Sequence, residues 1–204
     1  MARISKKPEI RKQEILEAAL ELFQTKGYEK TTMRDVMDKL EIAKGTIYHY
    51  FNSKDALFEA VVENIVEEDI AQKQALLLEA TGDALEKIRI LATADSASES
   101  HADILEQLHS PGNMGMHTRQ LAVAISGHAR LYGELIQQGC EEGIFQTEHP
   151  LECAEFILAG MQFLTDVGVY PWEQEELMRR AMAFPAIVES MLNAPEGSFS
   201  FLIG

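Results

Sequence analysis

Apolar positions in the first quarter of the chain recur at helical spacing. Ile15, Ala19, Leu22 and Phe23 fall at i, i+4, i+7 and i+8, the pattern of an amphipathic helix. Pro8 suits the first turn of that helix, and Gly27 suits the residue of positive φ just past its end. A second, short helix is signalled by Met33, Val36, Met37 and Leu40 at i, i+3, i+4 and i+7. Thr32 followed three residues later by Asp35 has the form of a capping box, with Asp in place of the usual Glu or Gln. Ile47 and Phe51 are four apart and anchor a third short helix inward. Only Glu41-Ile42-Ala43 separates the second helix from the third, the connection expected of a helix-turn-helix over about 32–51.

The rest of the chain also reads as helix. Leu57, Phe58, Val61, Val62 and Ile65 predict a long connecting helix from Ser53 to about Leu78, broken at Thr81-Gly82. A helix follows in "DALEKIRILATAD", then a polar loop in "SASES" and a short helix over 102–108 ended by Ser110-Pro111-Gly112-Asn113. "MHTRQLAVAISGHARLYGELIQQGCEEG" predicts one long helix, or two joined near Gly127, closing at Gly143. In "PLECAEFILAGMQFLTDVGVY", Leu151, Ala154, Leu158 and Met161 share one face while Phe156, Phe163 and Val167 lie elsewhere, which predicts burial on several sides. The last helix, about 173–193, repeats Leu177, Ala181, Phe184, Val188 and Met191, with a kink expected at Pro185. The expected fold is all-α: an N-terminal helix-turn-helix domain over 9–69 and a larger helical domain over 70–204.

Charge divides the chain in the same place. Residues 1–54 hold 11 Lys/Arg against 8 Asp/Glu, whereas the remainder holds 7 against 25, for a whole-chain net charge of −15. A basic head on an acidic body confines any polyanion contact to the head. No apolar run reaches the roughly 18 residues of a membrane span, so no membrane association is expected. Two cysteines, Cys140 and Cys153, form no disulfide framework and fit a reducing, cytoplasmic setting.

With Ile47 and Phe51 turned inward, Lys44, Gly45, Thr46, Tyr48 and His49 are left on the outer side of the third helix. A cation, two hydroxyls, an imidazole and a gap at Gly45 are groups that bond phosphates and base edges, on a helix whose width fits the major groove. Thr32 leaves the amides of the second helix facing a phosphate, and Lys54 reaches another. The Ile15/Ala18–Ala19/Leu22–Phe23 pattern, Gly27, Thr32, Val36 and "KGTIYHYFNSKDAL" together resemble the TetR family of transcriptional repressors over residues 9–69; the remainder matches in helical layout alone.

The resemblance implies DNA contacts at Thr32, Lys44, Gly45, Thr46, Tyr48, His49 and Lys54. Lys44 and Thr46 are then the expected base readers, and Tyr48 and His49 phosphate contacts. It also implies a homodimer paired through the last two long helices, a (pseudo)palindromic duplex operator, and a small-molecule effector that releases it. Ala159-Gly160 permits close helix approach. Three positions depart from the family pattern. Glu41 stands where Gly usually supplies positive φ, at a cost of about 1 kcal/mol if that conformation is kept. Ala43 stands where Ser or Thr usually caps the third helix, and Leu40 replaces a small residue.

For the effector, Met114, Met116, His117, Phe156, Met161, Phe163, Trp172 and Phe184 are the expected lining of an apolar or amphipathic ligand's pocket, because Met and aromatic side chains suit adaptable surfaces. The acidic balance of the body leans toward a neutral or cationic ligand. No cofactor and no metal site are expected: His101, His109, His117 and His128 are too widely spaced for a compact ligand motif. No glycine-rich phosphate loop, HExxH or nucleophile elbow suggests an enzyme. The alternative function is a helical metal- or ligand-binding protein that no longer reads DNA.

Overall fold

The computed structural model describes residues 7–94, 114–166 and 169–203, so the expected loop at "SASES", the 102–108 helix and the Ser110–Asn113 stop lie outside the described residues. In chain order the helices are α1 (Pro8–Lys26), α2 (Met33–Leu40), α3 (Lys44–Tyr50), α4 (Lys54–Glu79), α5 (Ala84–Thr93), α6 (Met114–Glu141), α7 (Pro150–Thr165) and α8 (Gln174–Leu192), and a 3₁₀ turn spans Ser200–Ile203. No strand occurs among the described residues. The chain forms two compact units, Met1–Val66 with Ser100–Gln120 and Glu67–Glu99 with Leu121–Gly204. The N-terminal residues of α6 thus belong with the head, a membership that periodicity along one stretch of sequence has no means of showing.

In the first unit, Ile15, Phe23, Val36, Ile47, Leu57 and Phe58 are each 0–1% exposed. Phe23 and Phe58 meet edge to face at 5.1 Å, and Tyr28 packs on both. Burial of each large side chain contributes roughly 1.5–3 kcal/mol, far more than the intrinsic propensity of eight- and seven-residue helices supplies. Gly27 ends α1 at φ 81°, ψ 156° and donates its N–H to the Phe23 carbonyl at 3.0 Å. That region is essentially closed to residues with a Cβ. The buried Thr31 hydroxyl then donates to the carbonyls of Gly27 and Leu22, fixing the connection to α2.

The capping box on α2 is present. Asp35 N–H donates to Thr32 Oγ1 at 3.2 Å, and Thr32 N–H donates to Asp35 Oδ2 at 2.8 Å. Glu41 adopts φ 51°, ψ 41°, so the turn keeps the left-handed conformation without the glycine. Ala43 precedes α3 with no side-chain cap. Leu40 packs half-buried against the head core.

The second unit is built from the later part of α4, α5, most of α6, α7, α8 and the C-terminal turn. Its core joins Ile88 and Leu91 to Ala129, Leu135, Ile136, Phe145, Ala154, Val188, Leu192 and Phe199. α6 runs unbroken through Gly127, where a Cβ would lie 2.3 Å from Ile70 Cδ1. At Gly139 a Cβ would lie 2.2 Å from Phe145 Cδ2, and the Phe145 ring is in turn stacked on Phe199 at 5.9 Å. The C-terminal segment is therefore structural: Phe199 N–H donates to Glu189 Oε1, and Gln146 N–H to the Leu192 carbonyl.

The last two long helices leave part of their apolar surface exposed in the single chain. α7 buries Ala154 but leaves Phe156 at 73% exposure among the described residues. In α8, Pro185, Val188 and Leu192 face the unit's own core, while Met182, Ala183, Ala186, Ile187 and Met191 stay exposed. α8 continues past Pro185, and its left-handed cap is Asn193.

Candidate nucleic-acid interface and cavity

The head face is positioned by α2, its three-residue turn and α3. Ile47 is fully buried and Phe51 is 5% exposed, which leaves Lys44, Gly45, Tyr48 and His49 exposed and Thr46 half-buried on the opposite side. The Lys44 ammonium lies 5.4 Å from the centre of the Tyr48 ring, and His49 is edge-on to Tyr50 at 5.1 Å. A Cβ at Gly45 would meet nothing within 4 Å, so this stretch of backbone is open to a partner. Five of the seven expected DNA contacts thus sit on one short helix, within one and a half turns.

Thr32 and Lys54 flank this face, and both are more constrained than side-chain type alone suggests. The Thr32 hydroxyl donates to Asp35 Oδ2 at 2.7 Å, so it is already committed within its own cap. Lys26 also donates to Asp35 at 2.6 Å, and together these bonds hold the Asp35 carboxyl down at about 2. The Lys54 ammonium donates to the Tyr28 carbonyl at 2.9 Å and sits 4.1 Å from the Tyr28 ring centre. Tyr28 in turn donates its hydroxyl to Asp55, and burial followed by that carboxylate raises its pKa. Lys54 therefore couples the start of α4 to the α1–α2 connection, with part of its donor capacity already used.

Arg34 also belongs to this face, although the sequence does not single it out. It stands on the first turn of α2, its side chain 84% exposed, and shares a shallow depression with Thr32, Lys44, Tyr48 and Lys54. Its signal in the sequence is a basic residue two past an N-cap, which is weak without knowing which way that turn faces. Asp38, 3.6 Å away, is too exposed to hold it firmly.

The second unit holds a half-open cavity of about 400 Å³, within the range of small-molecule sites. Its walls are Ile88 and Leu91 from α5, Ile157, Leu158 and Met161 from α7, and Phe201 and Leu202 from the C-terminal turn. One end is polar. Asp69 Oδ2 accepts from Lys73 at 2.6 Å and from His128 Nε2 at 2.7 Å, while His128 Nδ1 lies 2.8 Å from the Ala124 carbonyl. Burial pushes the Asp69 carboxyl up, but the hydrogen bonds and charges of Lys73 and His128 outweigh it and the net shift is down. Tyr132, on the same wall, is pushed up to about 12 by burial and then by the Asp69 charge.

Of the eight residues expected to line a pocket, Met161 does so among the described residues. Met116 packs in the head core, and His117, 4% exposed, belongs to that first unit as well. Met114 is 53% exposed and Phe156 more so. Phe163 and Trp172 instead clasp Tyr170, at 5.8 and 5.1 Å, with the Arg180 guanidinium 3.5 Å from the Trp172 ring. Phe184 approaches Gly160 at the α7–α8 crossing. Side-chain adaptability says what suits a ligand but not which register faces the cavity. Asp69, Lys73, His128 and Tyr132 were missed for the converse reason: the Asp69–Lys73 pair at i, i+4 looks like any surface ion pair in sequence. His101 and His109 lie outside the described residues, and among those described no three His, Cys, Asp or Glu side chains converge.

The comparisons with known proteins bear on both units. The family model described as "Bacterial regulatory proteins, tetR family" matches residues 15–61, and that described as "Tetracyclin repressor-like, C-terminal domain" matches residues 96–187. The chain is 23% identical over 152 residues to the HTH-type transcriptional repressor KstR2 of Mycobacterium tuberculosis, covering 72% of this chain and 76% of that one. It is 27% identical over 163 residues to the uncharacterized HTH-type transcriptional regulator YfiR of Bacillus subtilis, covering 72% and 75%. A TetR-family transcriptional regulator from Pectobacterium atrosepticum has the same fold, with a TM-score of 0.64 at 18% identity over 94% of this chain and 100% of that one. With the helix-turn-helix, the outward α3 face and both family matches in hand, the chain belongs to the TetR family of DNA-binding transcriptional regulators.

Proposed function

We propose that the protein is a cytoplasmic homodimeric repressor that occupies a (pseudo)palindromic duplex operator and leaves it when a small molecule fills the cavity of the second unit. The observation that carries the reading is the α3 face: two buried anchors, Ile47 and Phe51, turn Lys44, Thr46, Tyr48 and His49 outward together. Lys44 and Thr46 read base edges, Tyr48, His49, Arg34 and Lys54 hold phosphates, and the first-turn amides of the helix that Thr32 caps face another, with Gly45 allowing close backbone approach.

The dimer reading rests on the outer sides of α7 and α8. Phe156, Met182, Ile187 and Met191 are 73%, 56%, 52% and 37% exposed, and Ala183 and Ala186 between them let a partner helix come close. An exposed apolar surface of this kind is the mark of an association face. Two recognition helices must sit about 34–36 Å apart to enter successive major grooves, so a ligand lowers affinity only by favouring a state with another spacing. α4 is the continuous helix that carries Lys54 at one end and the cavity residues Asp69 and Lys73 toward the other.

The test is to retain genomic fragments on the purified protein, sequence them, and measure affinity for the recovered site together with sedimentation. Ile187→Glu with Met182→Glu should give monomers that lose most operator affinity. A dimer unaffected by both changes would place the interface elsewhere.

A further inference from the structure

We propose that the cavity of the second unit binds an amphipathic organic acid, its carboxylate held by Lys73 at the polar end and its apolar body against α5, α7 and the C-terminal turn. This inference rests on the reading of that cavity as the effector site and specifies the ligand's chemistry.

The charge count comes from hydrogen-bond geometry. His128 Nδ1 faces a backbone carbonyl at 2.8 Å and Nε2 faces the Asp69 carboxylate at 2.7 Å. A carbonyl has no proton to give, and a carboxyl held below its ordinary range has lost its own. Both contacts are hydrogen bonds only if both ring nitrogens carry hydrogens, which makes the ring an imidazolium. Asp69 then faces two cations, His128 and Lys73, on a single oxygen. Tyr132, the remaining titratable residue of the lining, stays neutral. Among the described residues, the polar end carries one positive charge in excess.

A net charge in a largely apolar cavity is costly until it is paired. Lys73 is 8% exposed and its hydrogen-bond partner among the described residues is Asp69, so an ammonium with three hydrogens has capacity left. Gln162, also in the lining, has a buried Oε1 with no hydrogen-bond partner among the described residues. Its amide, turned about its last bond, offers N–H in place of oxygen. A carboxylate supplies the missing charge and the acceptor oxygens that Lys73, the Tyr132 hydroxyl and this amide require. The acidic surface of the body does not oppose it, because charges beyond about 8 Å are screened at physiological salt. The rest of the lining is mostly apolar, Leu158 and Phe201 included.

The experiment is isothermal calorimetry on the full chain with matched probes. Decanoate, decanamide and decylamine form one set; 4-phenylbutanoate with its amide and amine, and 1-naphthylacetate with its amide and amine, form two more. In at least one set the acid should bind tenfold or more tighter than the amide, and the amine should bind weakest. Lys73→Met should bring the acid down to the affinity of the amide while leaving the amide unchanged, which also shows that the cavity is intact; Lys73→Arg should keep part of the preference. Should Lys73→Met fail to fold, His128→Gln, which removes the other cation, should lower the same preference. Amides or amines that bind as tightly as acids in every set, no binding by any acid, or a preference that survives Lys73→Met would each overturn the inference. Operator release is read separately. Release by probes without acid preference sinks the inference and keeps the effector reading, whereas acid binding without release keeps the inference and sinks that reading.

Discussion

Gly139 is a position where two opposing effects have predictable sizes. Replacing a mid-helix glycine by alanine ordinarily stabilises by about 0.5–1 kcal/mol, since glycine loses more backbone freedom on folding. Here the new methyl would lie 2.2 Å from Cδ2 and 2.5 Å from Cε2 of Phe145. That ring has little room to yield: Phe145 is 3% exposed and stacked at 28° on Phe199, itself 3% exposed. Overpacking in such a place costs about 1–3 kcal/mol, so Gly139→Ala should destabilise the second unit by a net ~1–2 kcal/mol. Trp172 is the sole tryptophan and lies in that unit, so its fluorescence during guanidinium unfolding reports the unit directly. Phe145→Leu in the same chain should recover much of the loss, giving a coupling of about 1 kcal/mol in a double-mutant cycle. A Gly139→Ala protein more stable than its parent would show that helix propensity wins and that the Phe145–Phe199 stack is loose.

Glu41→Gly should stabilise the head by about 1 kcal/mol by relieving the left-handed strain, and Ala43→Ser should add roughly 1 kcal/mol by capping α3; hydrogen exchange of α2 and α3 amides reads both. Lys54→Ala should lower head stability, through loss of the Tyr28 carbonyl bond, and reduce the salt slope of DNA binding by about 1; a variant unchanged in both would remove Lys54 from either role. Asp35 titrates near 3.8 when unfolded and about 2 when folded, so its contribution is complete above about 4 and disappears as pH falls through 2. Asp35→Asn should remove that part of the acid limb, and acid titrations that superimpose with the parent's would contradict it.

The head was legible because its signals are local. Ile47 and Phe51 at i and i+4 decide which side of α3 faces out, and the Thr32–Asp35 box needs three consecutive positions. Even the turn at Glu41, where the residue argues against the conformation, follows from the three-residue gap between the two helices. The cavity was not legible because its polar end joins Asp69 and Lys73 on α4 to His128 on α6, and nothing local marks that pairing. Phe199 and Phe201 sit in a tail whose packing depends on Phe145, more than 50 residues before it. The outer sides of α7 and α8 are a different case. A helix apolar all round predicts burial all round, and one chain supplies only part of the cover.

The central claim is that the α3 face reads duplex DNA, and its most direct test is competitive anisotropy. The recovered operator is titrated against a scrambled duplex at moderate salt, with the parent and with Lys44→Ala/Tyr48→Ala. Both side chains are exposed, so the double variant should keep the parent's circular dichroism and melting temperature. It should nevertheless lose about 1–3 kcal/mol of preference for the operator at Lys44, with a further fall in affinity for both duplexes at Tyr48. A double variant that binds the operator as tightly and as selectively as the parent would contradict the account.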